Sequence, residues 1–374
     1  MKILLMGDAS GYHATLGRAL RAMGHDVTVA SSGNYWMNTR RDVDLARRPG
    51  KLGGALLWAR LHTTLASRIR GYDVVSLAGC DFVDLHADRI LSLFMKLKRN
   101  NGSIFLNDLS TDTPFVRMCT SSQSQLPYSE WRNPDGSLPL FAQRSQLIKN
   151  AWLGVLEPLC SEIYDTVDGV TTALLEYHLS ARQVVAPEKL RYVGIPIDVD
   201  NVQSTQLDFH APQLKIFMGM PRARALEKGV DRFEIVVEEL LKREPQKFGF
   251  YRVENVPIEE YRQIISTSHI VLDQAYSLTP ATNALQAMAR GQVVVSGGER
   301  AYYDFIGEDK LHPIINIVPG QEQECVNQLV ELERNRDKLV ELGAQGIAFV
   351  KKHNDARNVA ARMVEFWEER IGVK

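Results

Sequence analysis

The sequence predicts an α/β protein made of two parallel-sheet domains, and three observations carry that prediction. Apolar, strand-like runs alternate with segments of helical period along most of the chain. The series starts twice, at KILLMG (Lys2–Gly7) and at LKIFMGM (Leu214–Met220), each time with a strand that runs into a glycine. At 374 residues the chain is too long for one compact core and suits two domains of about 150–200 residues.

The elements follow in order. HATLGRALRAMGH carries Leu16, Leu20 and Met23 at helical spacing, and Gly24 closes it. DVTVAS (Asp26–Ser31) is the next strand and completes a β-α-β unit. The order recurs in DVVSLAG (Asp73–Gly79), a helix to Arg99 and SIFLND (Ser103–Asp108). DGVTTA (Asp168–Ala173) and LRYVGIPI (Leu190–Ile197) extend it. The polar, irregular stretch Asp198–Gln213 interrupts the pattern. Beyond it, LKIFMGM, KFGFYRV (Lys247–Val253), HIVLDQA (His269–Ala275), QVVVSGG (Gln292–Gly298) and HPIINIV (His312–Val318) are the strands of a second sheet. The last helix, from about Asp355 to Arg370, presents Val359, Met363, Phe366 and Trp367 on one face and is expected to cross back to the first domain. The expected divisions are a domain over 1–200, a linker over 201–213, a domain over 214–352 and a closing helix over 353–374. Open α/β sheets bind ligands beyond the carboxyl ends of their strands, so two such domains facing one another predict a substrate-sized cleft.

Composition narrows the function classes. The chain is 45% hydrophobic and 24% charged, ordinary for a soluble globular protein. A net charge of −1 gives no global reason to expect nucleic-acid binding. Cys80, Cys119, Cys160 and Cys325 show no CxxC or metal-ligand spacing and read as reduced thiols of a cytosolic protein. The apolar part of MKILLMGDAS is too short for a signal peptide. No run of 18 apolar residues exists, so no spanning segment is expected.

Three strand-end loops carry candidate chemistry. GDASGYH (Gly7–His13) opens a helix, and at Gly11 it could let backbone amides approach a phosphate or sugar. It lacks the full GxGxxG spacing, so a tight β-to-α turn is the other reading; His13 reads as a loop surface residue. GMPRARALEKGVDRF (Gly219–Phe233) places Arg222, Arg224 and Lys228 between a strand and a helix. Guanidinium and ammonium groups there can neutralise a diphosphate, or can form a solvated basic loop. The third loop follows HIVLDQ, which ends near Asp273, and reads AYSLTPATNALQAMARGQVVVSGGE (Ala275–Glu299). Pro280 and Ala281 suit a helix start where free amides favour an anion. Thr282, Asn283 and Gln286 lie on one helical face, and with Thr279 could hold a sugar and a ribose. Ala284, Leu285, Met288 and Ala289 look like packing residues of the same helix.

On these residues the chain resembles retaining glycosyltransferases of the GT-B fold, group 1 or family 4, including those of bacterial surface-polysaccharide clusters. The resemblance covers most of the chain: MKILLMG, YVGIPIDV, EKG at 227–229, VLDQ at 271–274, ALQAMARGQVVVSGG and the HNDARNVAARMVEFW tail. It implies two Rossmann-like domains, a nucleotide-sugar donor in the second and a glycan or lipid-linked acceptor in the first. It also implies a metal-independent reaction with retention; the nucleotide sugar is then a substrate, the nucleotide diphosphate a product, and no cofactor is expected. Lys228 with Arg222 or Arg224 would meet the diphosphate, the 279–283 loop the donor sugar, and Gln286 the ribose. The family's E-x7-E pair reads Leu278 and Gln286 here, and Leu109 stands near the place of its first-domain histidine. Asp112 matches the family's nearby acidic residue, which puts it with His13 on the acceptor side. Asp273, Glu254 and Glu299 are candidate substitute carboxylates. The missing pair also allows a non-catalytic nucleotide- or glycan-binding module. A sugar-nucleotide epimerase would need an acid/base array that the sequence does not show, and a dinucleotide-dependent oxidoreductase would need the full glycine fingerprint.

Residues 40–72 hold eight basic residues against Asp42 and Asp44, with Leu52, Leu56, Leu57, Trp58, Leu61 and Leu65 between them at helical spacing. Such a segment can rest on anionic lipid or form a core helix with a basic solvent face. The expected location is therefore cytoplasmic, with peripheral contact at the inner face of the cell membrane. The polar, turn-rich stretch 120–146 reads as a mobile acceptor loop or a surface insertion.

Overall fold

A computed structural model describes residues 1–34, 37–202, 207–219, 224–254 and 256–372. The chain forms two compact units. Met1–Met118, Leu147–Pro196 and Ala356–Lys374 make the first; Cys119–Gln146 and Ile197–Asp355 make the second.

The first unit holds strands β1 (Lys2–Met6), β2 (Asp26–Ser31), β3 (Val43–Asp44), β4 (Val74–Ala78), β5 (Ser103–Asp108), β6 (Gly169–Thr172) and β7 (Leu190–Tyr192). They pair in parallel in the order β3-β2-β1-β4-β5-β6-β7. β4 and β5 are buried along their whole length, as inner strands of a parallel sheet covered on both faces should be. Strand order reverses between β1 and β4, which makes their carboxyl ends the switch point of this sheet.

The helix Ala356–Gly372 belongs to this unit. Val359, Met363, Phe366 and Trp367 are fully buried, the face that the apolar period marks. Phe366 meets Phe105 edge-on at 5.9 Å, and Trp367 lies 6.0 Å from the same ring. A side chain at Gly169 would put its Cβ 2.8 Å from Phe366, so the glycine is what lets the helix lie against β6. Arg362 ties the helix to the Val193 carbonyl at 2.7 Å.

The second unit holds β8 (Leu214–Gly219), β9 (Phe248–Val253), β10 (Ile270–Leu272), β11 (Val293–Ser296) and β12 (Ile314–Asn316), parallel in the order β12-β11-β10-β8-β9. Its switch point lies between β8 and β10. The core beneath joins Ile216, Phe233, Val237, Ile270, Val295 and Leu329, and includes Phe209 from the stretch expected to be a linker.

Residues 119–146, counted with the first domain in the sequence reading, fold with the second unit. Leu126, Tyr128 and Trp131 are each 2% exposed, and Trp131 packs edge-on against Phe141 at 5.0 Å. Burial here comes from single large side chains spaced among polar ones, which leaves no period to read.

Candidate functional site

The switch point of the second sheet is built from three loops. Asp273 follows β10 directly, and its amide bonds the Val295 carbonyl at 3.1 Å, which fixes the residue to the neighbouring strand. Lys228 comes from the turn before the helix Val230–Arg243. Its Nζ donates to Asp273 Oδ1 at 3.1 Å, with the lysine side chain 15% exposed and the carboxylate fully buried. The two loops are also joined through backbone, Ala275 N to Lys228 O at 2.9 Å. Gly229 makes that approach possible. Its φ of 75° is left-handed, and a Cβ there would lie 2.7 Å from the Ala275 Cβ.

An ammonium has three N–H donors, and Asp273 uses one of them. Lys228 is therefore held in place with capacity left for an anion. Arg232, one turn beyond Lys228, donates to Tyr276 Oη at 2.8 Å and to Glu322 at 3.3 Å, which fixes a second cation beside the loop after β10. Sequence reasoning missed Arg232. The only signal was its place just inside the helix that the basic loop opens.

The loop after β10 is pressed against the strand beside it. A Cβ on Gly297 would lie 2.1 Å from the Ser277 carbonyl, and Glu299 N bonds the Leu278 carbonyl at 3.2 Å. Ser277 Oγ donates to the Thr279 carbonyl at 2.9 Å. Leu278 and Thr279 are consequently 3% and 1% exposed, and Pro280 is buried. The helix Thr282–Ala289 then begins at Ala281 with no side-chain cap. The amides of Thr282, Asn283 and Ala284 have no acceptor among the described residues. Such an open helix start attracts anions through its free N–H groups and its dipole. Ala281, Thr282, Asn283 and Gln286 are half-buried around it, while Ala284, Leu285 and Met288 pack inward.

The other expected residues are placed as follows. Arg224 pairs with Glu227 inside its own turn and is 55% exposed. Arg222 lies outside the described residues. Glu254 follows β9, the edge strand on the far side of β8 from β10. Glu299 follows β11 closely, and its Oε1 accepts from Tyr128 Oη at 2.8 Å and from Asn316 Nδ2 at 3.0 Å.

The first unit corrects three readings. Gly11 has a φ of 77° and starts the helix Tyr12–Ala22, but that helix start is already occupied by an anion of the chain itself. Asp8 accepts from His13 N at 2.9 Å and from Thr39 Oγ1 at 2.8 Å, where a phosphate would otherwise sit. His13 is not on a loop surface. It lies in the helix with no exposure, Nδ1 against the Gly7 carbonyl at 2.8 Å and Nε2 without a partner among the described residues. Burial holds its pKa down at about 4, so the ring is neutral at pH 7. Asp112 is 2% exposed. Its Oδ1 accepts from Phe115 N at 2.9 Å, and Tyr164 Oη lies 2.5 Å from its Oδ2 and 3.1 Å from Asp108 Oδ2. It caps the helix Thr113–Thr120 and shares a buried network with Asp108, which keeps it from an acceptor. Desolvation raises the Asp112 pKa to about 6 and pushes that of Asp108 well up, with the neighbouring carboxylate adding to the latter.

Residues 221–365, which span these second-unit loops, match the family described as glycosyl transferase-like. The fold of the chain is GT-B. Sucrose-phosphate synthase from Thermosynechococcus elongatus aligns over all of both chains with a TM-score of 0.63 and 14% identity. HepE from Anabaena, solved with UDP and glucose, aligns over 98% of each chain with a TM-score of 0.60 and 13% identity. TarM from S. aureus, solved with fondaparinux, alpha-GlcNAc-glycerol and UDP, aligns over 83% of this chain at 10% identity and a TM-score of 0.53. This chain spans 59% of TarM. No curated protein sequence matches it.

Proposed function

We propose that the protein transfers a sugar from a nucleotide-sugar donor to a hydroxyl of a glycan or lipid-linked glycan, with retention and without a metal, in cell-surface polysaccharide biosynthesis. One observation carries the reading. The carboxyl end of β10 leads into both Asp273, the buried carboxylate that holds the Lys228 cation, and an open helix start at Thr282–Ala284. A diphosphate needs such a pair of anchors.

In the reaction, the bond from the anomeric carbon to the diphosphate oxygen breaks, and the acceptor oxygen bonds to that carbon. The acceptor proton passes to the departing diphosphate. Negative charge grows on the leaving oxygen, and Lys228 and the helix amides stabilise it most when the bond is breaking. Arg224 is a further candidate for that charge, because a surface pair like that with Glu227 is worth only about 0–1 kcal/mol and is easily exchanged. Gln286 offers its amide to the ribose, and Thr282 and Asn283 lie toward the sugar. The likeness to HepE, solved with UDP and glucose, supports a donor of this kind.

A second reading, a non-catalytic binding module, is favoured by Leu278. Its side chain is enclosed, and no carboxylate comes from that position. Turnover with an acceptor separates the two readings.

The proposal includes a cytoplasmic location with peripheral contact on anionic membrane. The helix Gly50–His62 buries Leu57 and Leu61 but leaves Leu52 86% and Leu56 52% exposed, beside the exposed Arg48 and Lys51. No helix among the described residues is long and apolar enough to cross a membrane.

The test is a thermal-shift panel of UDP, GDP, dTDP, ADP and CMP with their common sugar conjugates. A ligand present at a hundredfold excess over its Kd stabilises by about 2.7 kcal/mol, a readable shift. One nucleotide family raising Tm is expected; no shift from any of them would overturn the donor site.

A further inference from the structure

We propose that Glu299 supplies the carboxylate that holds the donor sugar, in place of the leucine at 278, and that Tyr128 positions it. The assignment rests on the transfer reading above and concerns only the sugar half of the donor.

The strand ends of the second sheet offer few carboxylates for this task. Asp273 is fully buried and committed to Lys228. Asp231 and Glu322 serve Arg232, and Glu308 is enclosed by Lys352 and His353. Glu254 follows the edge strand, beyond β8. Glu299 alone among these lies directly beside the loop that enters the helix Thr282–Ala289, through its amide bond to the Leu278 carbonyl. It is half-buried, so it is reachable yet partly desolvated.

Its geometry is that of an aimed group. Oε1 takes both hydrogen bonds, from Tyr128 and from Asn316, and Oε2 has no partner among the described residues. Asn316 is itself oriented, because its Oδ1 accepts from Gly298 N at 2.8 Å, which leaves the amide nitrogen for Glu299. Capping does not account for the carboxylate. Glu299 precedes the helix Arg300–Ile306, but its side chain makes no cap bond there. Tyr128 is brought in by residues 119–146 and seated by the burial of its own ring with Leu126 and Trp131 nearby in sequence.

The chemistry defines the sugar class. A carboxylate oxygen accepts from ring hydroxyls, and such charge-assisted bonds are about twice as strong as neutral ones. A neutral hexose with adjacent free hydroxyls fits. A hexuronic acid would bring a second negative charge to Oε2 and is disfavoured.

The experiment compares UDP with UDP-glucose, or the corresponding pair for whichever base the panel selects, on the full chain and on Glu299→Gln and Tyr128→Phe. Glu299→Gln should leave diphosphate affinity unchanged and weaken the hexose conjugate about tenfold, the loss of one charged hydrogen bond. Tyr128→Phe should move the same ratio in the same direction by a smaller factor, and the hexuronic conjugate should gain relative to the hexose in Glu299→Gln. Equal loss of both ligands, or loss of neither, would overturn the assignment and leave the donor site standing. Failure of every nucleotide to bind the unaltered protein would overturn the transfer reading, and this one with it.

Discussion

Asp273 shows what a single buried charge demands. Its carboxylate is fully enclosed and its Oδ2 has no partner among the described residues, so Lys228 at 3.1 Å is what keeps the charge tolerable. Removing one member of such a pair costs about 3–5 kcal/mol, because the other remains buried and uncompensated. Lys228→Ala is therefore expected to lower both Tm and nucleotide affinity. Adding Asp273→Asn should restore much of the Tm and none of the affinity, read by thermal unfolding and calorimetric titration. A double variant that binds nucleotide normally would remove Lys228 from the site. Lys228 was legible in sequence because a cation before Gly229 and a helix is a local pattern. Its bond to Asp273 was not, since the two are 45 residues apart and nothing local pairs them. His13 and Asp112 were misread for a different reason. A polar residue after a strand reads as exposed, yet here one is buried under its own helix start and the other caps a helix from inside.

At the scale of elements, the end of β5 and the helix Glu157–Thr166 meet through Tyr164, which faces both Asp108 and Asp112. Two carboxylates in a dry network do not both ionise easily, and both are raised above an unfolded value of about 3.9. The folded state then binds more protons than the unfolded state from about pH 4 upward, so stability falls as pH rises through that window to about 6 and beyond. Asp108→Asn should flatten the decline and make the protein more stable near pH 7, measured as urea midpoints across pH. An unchanged slope would show that the pair does not carry it. The main strands of both sheets were readable because they are short apolar runs bounded by glycine or polar turns. β3 was not, as two residues are too few for a period. Residues 120–146 were read as a polar loop or surface insertion because their anchors are single aromatic side chains rather than a stripe.

For the whole molecule, the net charge of −1 hides a local excess. Residues 40–72 carry eight basic residues against two acidic ones, and the helix Gly50–His62 adds exposed leucines to them. Sedimentation with phosphatidylserine vesicles at low salt should therefore be strong, should weaken as salt shortens the screening length, and should fall in Leu52→Glu/Leu56→Glu without a change in Tm. Indifference to anionic vesicles at low salt would sink the membrane contact. The two-sheet plan was legible because each sheet announces itself with a strand and a glycine. Which stretch of chain belongs to which unit was not, since membership is decided by side chains that meet far from their neighbours in sequence.

The closing helix has a consequence for how the protein is made. Phe366 and Trp367 cover Phe105 and Gly169, and they leave the ribosome after the whole of the second unit. The first unit is thus started before the second and completed after it. Every nascent chain passes through a stage in which the second unit has all its residues while the first still exposes an apolar groove along β5 and β6. A chaperone that recognises unpaired aromatic surface would find its target there, between the emergence of residue 355 and that of residue 367.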